Sequence, residues 1–320
     1  MTSSARPGVL LGFEFRGRTR EVFESRFDIV GLIEKPDPGL VTPDMAARAQ
    51  ALVTVGSIGG GAPLFAALPN LSILCCYGSG YEGVDLAAAR ARNIIVTNSP
   101  DANAPSVADL AMGLLLASTR RIVQADQFVR AGKWTSRMAR VGSVAGLTGA
   151  KLGILGLGEI GGRIAQRAAA CDMQIGYHNR RPRLDVAWRY FDNVMSLATW
   201  ADHLMVACRA DDTNRHIVDA EVLRALGPRG HLVNISRGSA VDEAALAEAL
   251  ATGAIEGAGL DVFEAEPQIH PKLLGLPNVV MTPHLGGGTE HGVIAMTNMV
   301  VGNLEAHFSG RGALTPITTN

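Results

Sequence analysis

The sequence predicts a protein of the α/β class with two domains, each built on a parallel sheet covered by helices. Two observations support this prediction. Short apolar and β-branched runs alternate with helical patterns along nearly the whole chain, as in sheets whose strands are joined by helices. The chain also has 320 residues, a hydrophobic fraction of 47% and 37 glycines, which suits compact domains rather than a disordered polymer.

The first part of the chain has five strand patterns separated by helical ones. The expected strands are 9–13, 29–33, 51–55, 72–76 and 94–97, and the expected helices are 18–25, 43–50, 63–68 and 85–92. A turn, Gly78-Ser79-Gly80, follows the fourth strand. Its backbone N–H groups could hold an anion such as a carboxylate, and an ordinary loop is an equal alternative.

A long helical pattern over 106–131 then predicts a connector between the two domains. After a loop over 132–149, a second alternating series begins with the stretch 151–163. Further strands are expected at 173–177, 203–207, 231–235, 257–261 and 279–281, with helices at 220–226, 242–251 and 290–309.

The stretch 151–163, KLGILGLGEIGGR, carries the strongest local signal. An apolar strand leads into a glycine turn and then a helix, which presents backbone N–H groups and a positive helix end to a pyrophosphate. Gly156 permits the turn, Gly158 lets the backbone approach the phosphates, and Gly161 lets helix and strand pack closely. We therefore expect a Rossmann-type dinucleotide site. Its contact residues are Gly156, Leu157, Gly158, Glu159, Ile160 and Gly161.

The end of the next strand indicates which dinucleotide binds. An NAD site usually has an acidic residue about 20 residues after the first glycine. Here the chain reads Tyr177-His178-Asn179-Arg180-Arg181, with no acid. Guanidinium groups bind a 2′-phosphate through charge-assisted hydrogen bonds, so NADP(H) is favoured, and use of NAD(H) stays open. The alternative is that Arg180 and Arg181 are solvated surface residues.

Three later strands end in side chains suited to hydride transfer to a 2-oxo acid. Arg237 follows one strand, a glutamate the next, and His284 the last. Because the carboxyl ends of parallel strands meet at one edge, these groups should lie together. A guanidinium can bind a carboxylate, and an imidazolium beside a carboxylate can donate a proton. Spacing alone leaves Glu264 and Glu266 as competing candidates.

Composition excludes other classes of function. The net charge of −1 predicts no nucleic-acid or membrane partner. The four cysteines have neither metal-ligand spacing nor a C-x-x-C motif, so we expect no metal site and a reducing compartment. No signal-peptide pattern opens the chain, and the apolar stretch 110–117 is too short to span a bilayer. A soluble cytoplasmic protein is expected.

Taken together, the motifs resemble those of the D-isomer-specific 2-hydroxyacid dehydrogenases over nearly the whole chain. The matching stretches are 80–85, 107–111, 129–134, GLGEIG at 156–161, VNISRG at 233–238, GLDVFEAEP at 259–267 and TPHLGG at 282–287. The likeness is greatest to the NADPH-preferring glyoxylate/hydroxypyruvate and hydroxyphenylpyruvate reductases, through 177–180 and 302–310. An aryl pyruvate is thus the alternative substrate. The alternative to an enzyme is a nicotinamide-sensing corepressor, which does not need the catalytic arginine, glutamate and histidine.

The resemblance implies roles for individual residues. Arg237 would bind the substrate carboxylate and keto oxygen, Glu266 would pair with the catalytic His284, and His284 would protonate the carbonyl. The resemblance further implies substrate contacts from Ser79 and Gly80. The implied cofactor contacts beyond the glycine turn and 178–181 are Cys208, Ile235 and Asp261.

The resemblance also implies the domain organisation. Residues 1–100 and 287–320 would form a smaller, flavodoxin-like substrate domain, and residues 101–286 the Rossmann-type NADP-binding domain. Members are typically homodimers with the long helix in the interface.

Two positions depart from the family's usual pattern. Gly287 and Gly288 replace a pair that often carries a small hydroxyl or alanine, which leaves substrate size open. Arg209 stands where proline is common, and it could reach the adenine end of the cofactor or be an ordinary solvated arginine.

Overall fold

The computed structural model describes residues 6–142, 144–211 and 213–318, so 1–5 and 319–320 of the expected substrate domain lie outside it. The chain forms two compact units. The first combines the chain up to Asn103 with the chain from Thr289 onward, and the second is Ala104–Gly288.

The first unit is a five-stranded parallel sheet in the order β2-β1-β3-β4-β5. Its strands are β1 (Gly8–Leu11), β2 (Asp28–Leu32), β3 (Ala51–Val55), β4 (Ile73–Tyr77) and β5 (Ile95–Thr97). Its first four helices are α1 (Gly17–Arg26), α2 (Pro43–Arg48), α3 (Ala62–Ala67) and α4 (Leu86–Ala91). Successive residues of β1 are buried in two different apolar clusters, because helices cover both faces of the sheet.

The second unit is a seven-stranded parallel sheet in the order β12-β11-β10-β9-β6-β7-β8. Its strands are β6 (Lys151–Leu155), β7 (Gln174–His178), β8 (Arg189–Phe191), β9 (His203–Val206), β10 (His231–Asn234), β11 (Gly257–Leu260) and β12 (Val279–Met281). Its helices are α5 (Ala104–Thr119), α6 (Ile122–Arg130), α7 (Glu159–Ala170), α8 (Val194–Trp200), α9 (Ala220–Leu226), α10 (Glu243–Thr252) and α11 (Pro271–Leu274). Two apolar clusters again lie on opposite faces. The predicted α/β class with a Rossmann-type sheet is confirmed.

The last helix of the chain, α12 (Glu290–Phe308), belongs to the first unit. Thr289 begins it by accepting a hydrogen bond from Gly292 N at 3.0 Å. The Tyr77 hydroxyl, at the end of β4, donates to Val293 O at 2.9 Å and so ties the helix to the sheet.

The predicted single helix over 106–131 is wrong, because the chain breaks between α5 and α6. Arg121 adopts a left-handed conformation with φ of +51°. Thr119 Oγ1 bonds back to Leu115 O at 2.8 Å, and such side-chain bonds compete with helix propagation. The Arg121 guanidinium then binds Glu256 at 2.6 Å, a partner distant in sequence.

The strand β8 and the helix α8 were not predicted. Three residues of β8 are too few to show an alternating pattern. The Arg189 guanidinium lies 4.7 Å from the Phe191 ring and 5.8 Å from the Trp200 ring, which joins the two elements.

Within the described residues, no helix combines the length and apolar character needed to cross a membrane.

Candidate active site

The turn between β6 and α7 has the geometry of a dinucleotide cradle. Gly156 has φ of +99°, and a Cβ there would lie 2.4 Å from the Cys208 backbone. A Cβ on Gly161 would lie 2.0 Å from the Gly156 carbonyl oxygen, so helix and strand pack backbone to backbone. Gly158 is the N-cap of α7, and no side chain caps the helix there. The helix N-terminus therefore fits a pyrophosphate.

Two neighbouring side chains hydrogen-bond to the backbone of this turn at Leu157. Asn179 Oδ1 accepts a hydrogen bond from Leu157 N at 2.6 Å, and Arg183 Nη1 donates to Leu157 O at 3.2 Å. Arg183 is held in turn by the Tyr177 hydroxyl, which accepts from Arg183 N at 2.8 Å. Sequence reasoning missed Arg183, because nothing in the basic run distinguishes it from Arg180 and Arg181.

A cavity of about 790 Å³ lies beside the turn. It is lined by Leu155, Gly156, Leu157, Gly158, His178, Asn179, Arg180, Arg181, Ala207, Cys208, Arg209, Asp211, Thr213, Asn214 and Ile217. Eight expected cofactor residues are among them. Five others do not line it: Glu159, Ile160, Gly161, Ile235 and Asp261. A second wall of the cavity is formed by Ala207, Cys208, Arg209, Asp211, Thr213, Asn214 and Ile217. Of these residues, sequence reasoning named Cys208 as a cofactor contact and left Arg209 open, and it did not indicate the others.

Three of the cofactor candidates have well-defined surroundings. His178 Nδ1 lies 2.8 Å from Phe191 O, a carbonyl that can only accept, so Nδ1 carries the proton. Ile235 is buried in the apolar cluster beneath the sheet. Burial raises the pKa of the Cys208 thiol to about 11, so this residue is an unreactive part of the wall.

At the carboxyl edge of the second unit's sheet, three side chains come together from neighbouring strands. Arg237 follows β10, Glu266 follows β11 and His284 follows β12. His284 Nδ1 lies 2.8 Å from Glu266 Oε2. The charge of Arg237 acts on both partners. Within the part of the chain that the structure describes, no group of three or more His, Cys, Asp or Glu residues could hold a metal ion.

The electrostatics of this site favour an ion pair. The hydrogen bond that His284 donates to Glu266 raises the pKa of His284, against the opposing effects of burial and of Arg237. Burial of Glu266 disfavours its carboxylate, but the hydrogen bonds from His284 and from Phe263 N together hold its pKa below its usual value. An imidazolium beside a carboxylate is suited to proton donation.

Glu264 has different partners. It accepts hydrogen bonds from the Arg215 guanidinium and from His216 Nε2, the latter at 2.8 Å. Its backbone N–H donates to Glu243 Oε1 at 2.6 Å. Glu264 therefore ties the segment after β9 to the loop after β11, whereas Glu266 is the glutamate bonded to His284.

Asp261 holds the loop that carries the imidazole. Oδ1 accepts from Thr282 Oγ1 at 2.6 Å and from Leu285 N at 2.7 Å, and Oδ2 accepts from Gly286 N at 2.9 Å. Its backbone carbonyl accepts from His284 N at 2.9 Å. These bonds support the left-handed backbone of His284, whose φ is +52°.

The expected substrate-loop residues, Ser79 and Gly80, follow β4 in the first unit. Asn98 Nδ2 donates to Ser79 O at 2.7 Å, which fixes the turn. The Gly80 carbonyl packs on Gly56, where a Cβ would lie 2.1 Å from its oxygen.

A glycine turn on a Rossmann-type sheet, with arginine, glutamate and histidine at the same sheet's carboxyl edge, defines a dinucleotide-dependent dehydrogenase. The family described as D-isomer specific 2-hydroxyacid dehydrogenase, NAD binding domain, matches residues 112–286. The chain belongs to this family.

Similar proteins cover nearly the whole chain. The glyoxylate/hydroxypyruvate reductase A of Arabidopsis thaliana is 42% identical over 310 residues, covering 97% of this chain and 98% of its own. The hydroxyphenylpyruvate reductase of Plectranthus scutellarioides is 41% identical with the same coverage. The NADPH-dependent glyoxylate/hydroxypyruvate reductase of Sinorhizobium meliloti, solved with NADP and malonate, superposes with a TM-score of 0.92 at 42% identity, covering 98% of this chain and 97% of its own.

Proposed function

We propose that this protein uses NADPH to reduce a small 2-oxo acid, glyoxylate or hydroxypyruvate, to the corresponding D-2-hydroxy acid. The observation that carries the proposal is the hydrogen-bonded pair of His284 and Glu266, placed with Arg237 at the carboxyl edge of the dinucleotide-binding sheet. The two reductases of matching length named above support the substrate class.

The side chains divide the chemistry between them. Arg237 binds the substrate carboxylate and orients the keto group through its guanidinium. His284, kept protonated by Glu266, gives its proton to the carbonyl oxygen as the alcohol forms. Asp261 keeps the loop of His284 in place. When bound, the nicotinamide cofactor supplies the hydride.

The binding residues are part of the proposal. The residues predicted for the cofactor bind NADPH, and Ser79 and Gly80 bind the substrate carboxylate. Four free cysteines suit a reducing compartment, which supports a cytoplasmic location.

A homodimer is also proposed. Its support is a set of exposed apolar side chains on α6 and the segment after it, among them Val129, Trp134 and Met138, which is 78% exposed. Several large apolar side chains exposed along one stretch of the chain favour a protein interface there.

A substrate panel tests the proposed reaction. Initial rates of NADPH oxidation should be highest with glyoxylate or hydroxypyruvate and lower with phenylpyruvate and pyruvate, each repeated with NADH. Highest kcat/KM with phenylpyruvate would instead favour the aryl-pyruvate reaction, which the Plectranthus relative represents. No turnover of any 2-oxo acid would contradict the proposal.

Arg180 and Arg181 are proposed to select NADPH, because both line the cavity and the segment directly after β7, which includes them, has no acidic residue. Changing both to alanine should raise the KM for NADPH at least about tenfold, the loss expected for charge-assisted hydrogen bonds to a phosphate. The KM for NADH, which lacks the 2′-phosphate, serves as the internal control and should change little. An unchanged ratio of the two KM values would contradict this role.

A further inference from the structure

Arg209 lies across the cavity from the predicted phosphate-binding arginines. It follows β9, whereas Arg180 and Arg181 follow β7, and β6 with its glycine turn runs between these two strands. All three arginines line the same cavity of about 790 Å³. The position of Arg209 thus places a cation on the wall opposite to the other two.

The backbone that carries Arg209 is hydrogen-bonded within its own loop. Asn214 Nδ2 donates to Arg209 O at 2.7 Å, and Asn214 Oδ1 accepts from Asp211 N at 2.8 Å. Asp211 Oδ1 in turn accepts from Thr213 N at 3.0 Å. Ala210 is buried, which anchors the loop from below. These contacts position the backbone of Arg209 beside the cavity.

The pKa of Asp211 is affected by arginines from both walls of the cavity. Hydrogen bonds from Thr213 lower the pKa of this carboxyl, and the charges of Arg180 and Arg209 lower it further against the effect of burial. The charges of Arg180 and Arg209 thus both reach this part of the cavity. A phosphate group bound there would be attracted by both guanidinium groups.

We propose that Arg209 is a further specificity-determining residue, which binds the cofactor's 2′-phosphate together with Arg180 from the opposite wall of the cavity. The inference rests on the proposed NADPH preference and deepens it. Two guanidinium groups on separate loops would hold a phosphate from two directions, which favours the phosphorylated cofactor over the unphosphorylated one.

Binding of two nucleotides that differ only in the 2′-phosphate tests the inference without turnover. Adenosine 2′,5′-bisphosphate and 5′-AMP are titrated into the full-length protein by calorimetry. Arg209→Ala should weaken binding of the bisphosphate about tenfold, as expected for one charge-assisted contact, and leave 5′-AMP binding within about twofold. Intact 5′-AMP binding also shows that the variant is folded.

Arg229→Ala is the matched control. Arg229 is exposed and precedes β10, so it lies at the opposite edge of the sheet from the cavity. This variant should bind both nucleotides like the unaltered protein. Equal weakening of both nucleotides by Arg209→Ala, or no weakening of either, would overturn the role of Arg209.

The double variant Arg180→Ala with Arg181→Ala separates this inference from the proposed function. If the double variant loses its preference for the bisphosphate and Arg209→Ala does not, the NADPH proposal stands and the inference about Arg209 falls. If the unaltered protein binds 5′-AMP as tightly as the bisphosphate, the NADPH preference itself is wrong.

Discussion

Replacing His284 with alanine is expected to lower kcat for 2-oxo acid reduction by about 10²–10⁴-fold, the usual contribution of a general acid. The imidazole is the group that Glu266 keeps protonated, and no other proton donor is proposed for the carbonyl oxygen. Affinity for NADPH should change little, because His284 does not line the cofactor cavity. Stopped-flow turnover and fluorescence titration of NADPH measure the two effects separately.

A control for the histidine substitution is available in the first unit. His307, near the end of α12, bonds to Ser72 Oγ at 2.8 Å, just before the start of β4. His307→Ala should keep its turnover. Normal turnover in His284→Ala would remove this residue from the acid role. NADPH binding by the unaltered protein without turnover of any 2-oxo acid would instead favour a nicotinamide-binding protein without catalytic function.

Replacing Glu266 with glutamine is expected to move the alkaline limit of reduction to lower pH. The carboxylate raises the pKa of His284, so its loss lowers that pKa, and the imidazolium needed for reduction disappears at a lower pH. The oxidation of the D-2-hydroxy acid needs the neutral imidazole, so its acidic limit should move in the same direction. The measurement is kcat/KM against pH for both directions.

Glu264→Gln is the matched control for this profile. It removes a carboxylate only two residues away, but one that bonds to Arg215 and His216 rather than to His284. The pH limits of this variant should stay in place. A fixed profile in Glu266→Gln, or an equal displacement in both variants, would show that Glu266 does not set the protonation of His284.

The sequence could not predict whether Glu264 or Glu266 bonds to His284. Both follow β11 in the short segment that ends at Pro267, so spacing alone does not separate them. The strand β11 ends at Leu260, and beyond it an isolated bridge joins Ala265 to Gln268. The direction of each side chain there depends on contacts with other segments rather than on any local period.

The break at Arg121 escaped prediction, and Arg209 stayed open between a cofactor contact and a solvated arginine, for the same reason. The left-handed turn at Arg121 is supported by Glu256, 135 residues further along the chain. The loop of Arg209 reaches the cavity because β9 and β7 flank β6 in the sheet, an order that a linear sequence does not display.

The sequence by itself determined the α/β class, the glycine turn and the three strands whose ends carry Arg237, Glu266 and His284. These features depend on local periodicity, on glycine conformations and on the rule that parallel strands end at one edge. Only the tertiary structure decided that Glu266 bonds to His284, that Arg183 and Asn179 brace Leu157, and that Arg209 lines the cavity. Each of these is a contact between segments far apart in the chain, whose geometry is set by the packing of the whole sheet.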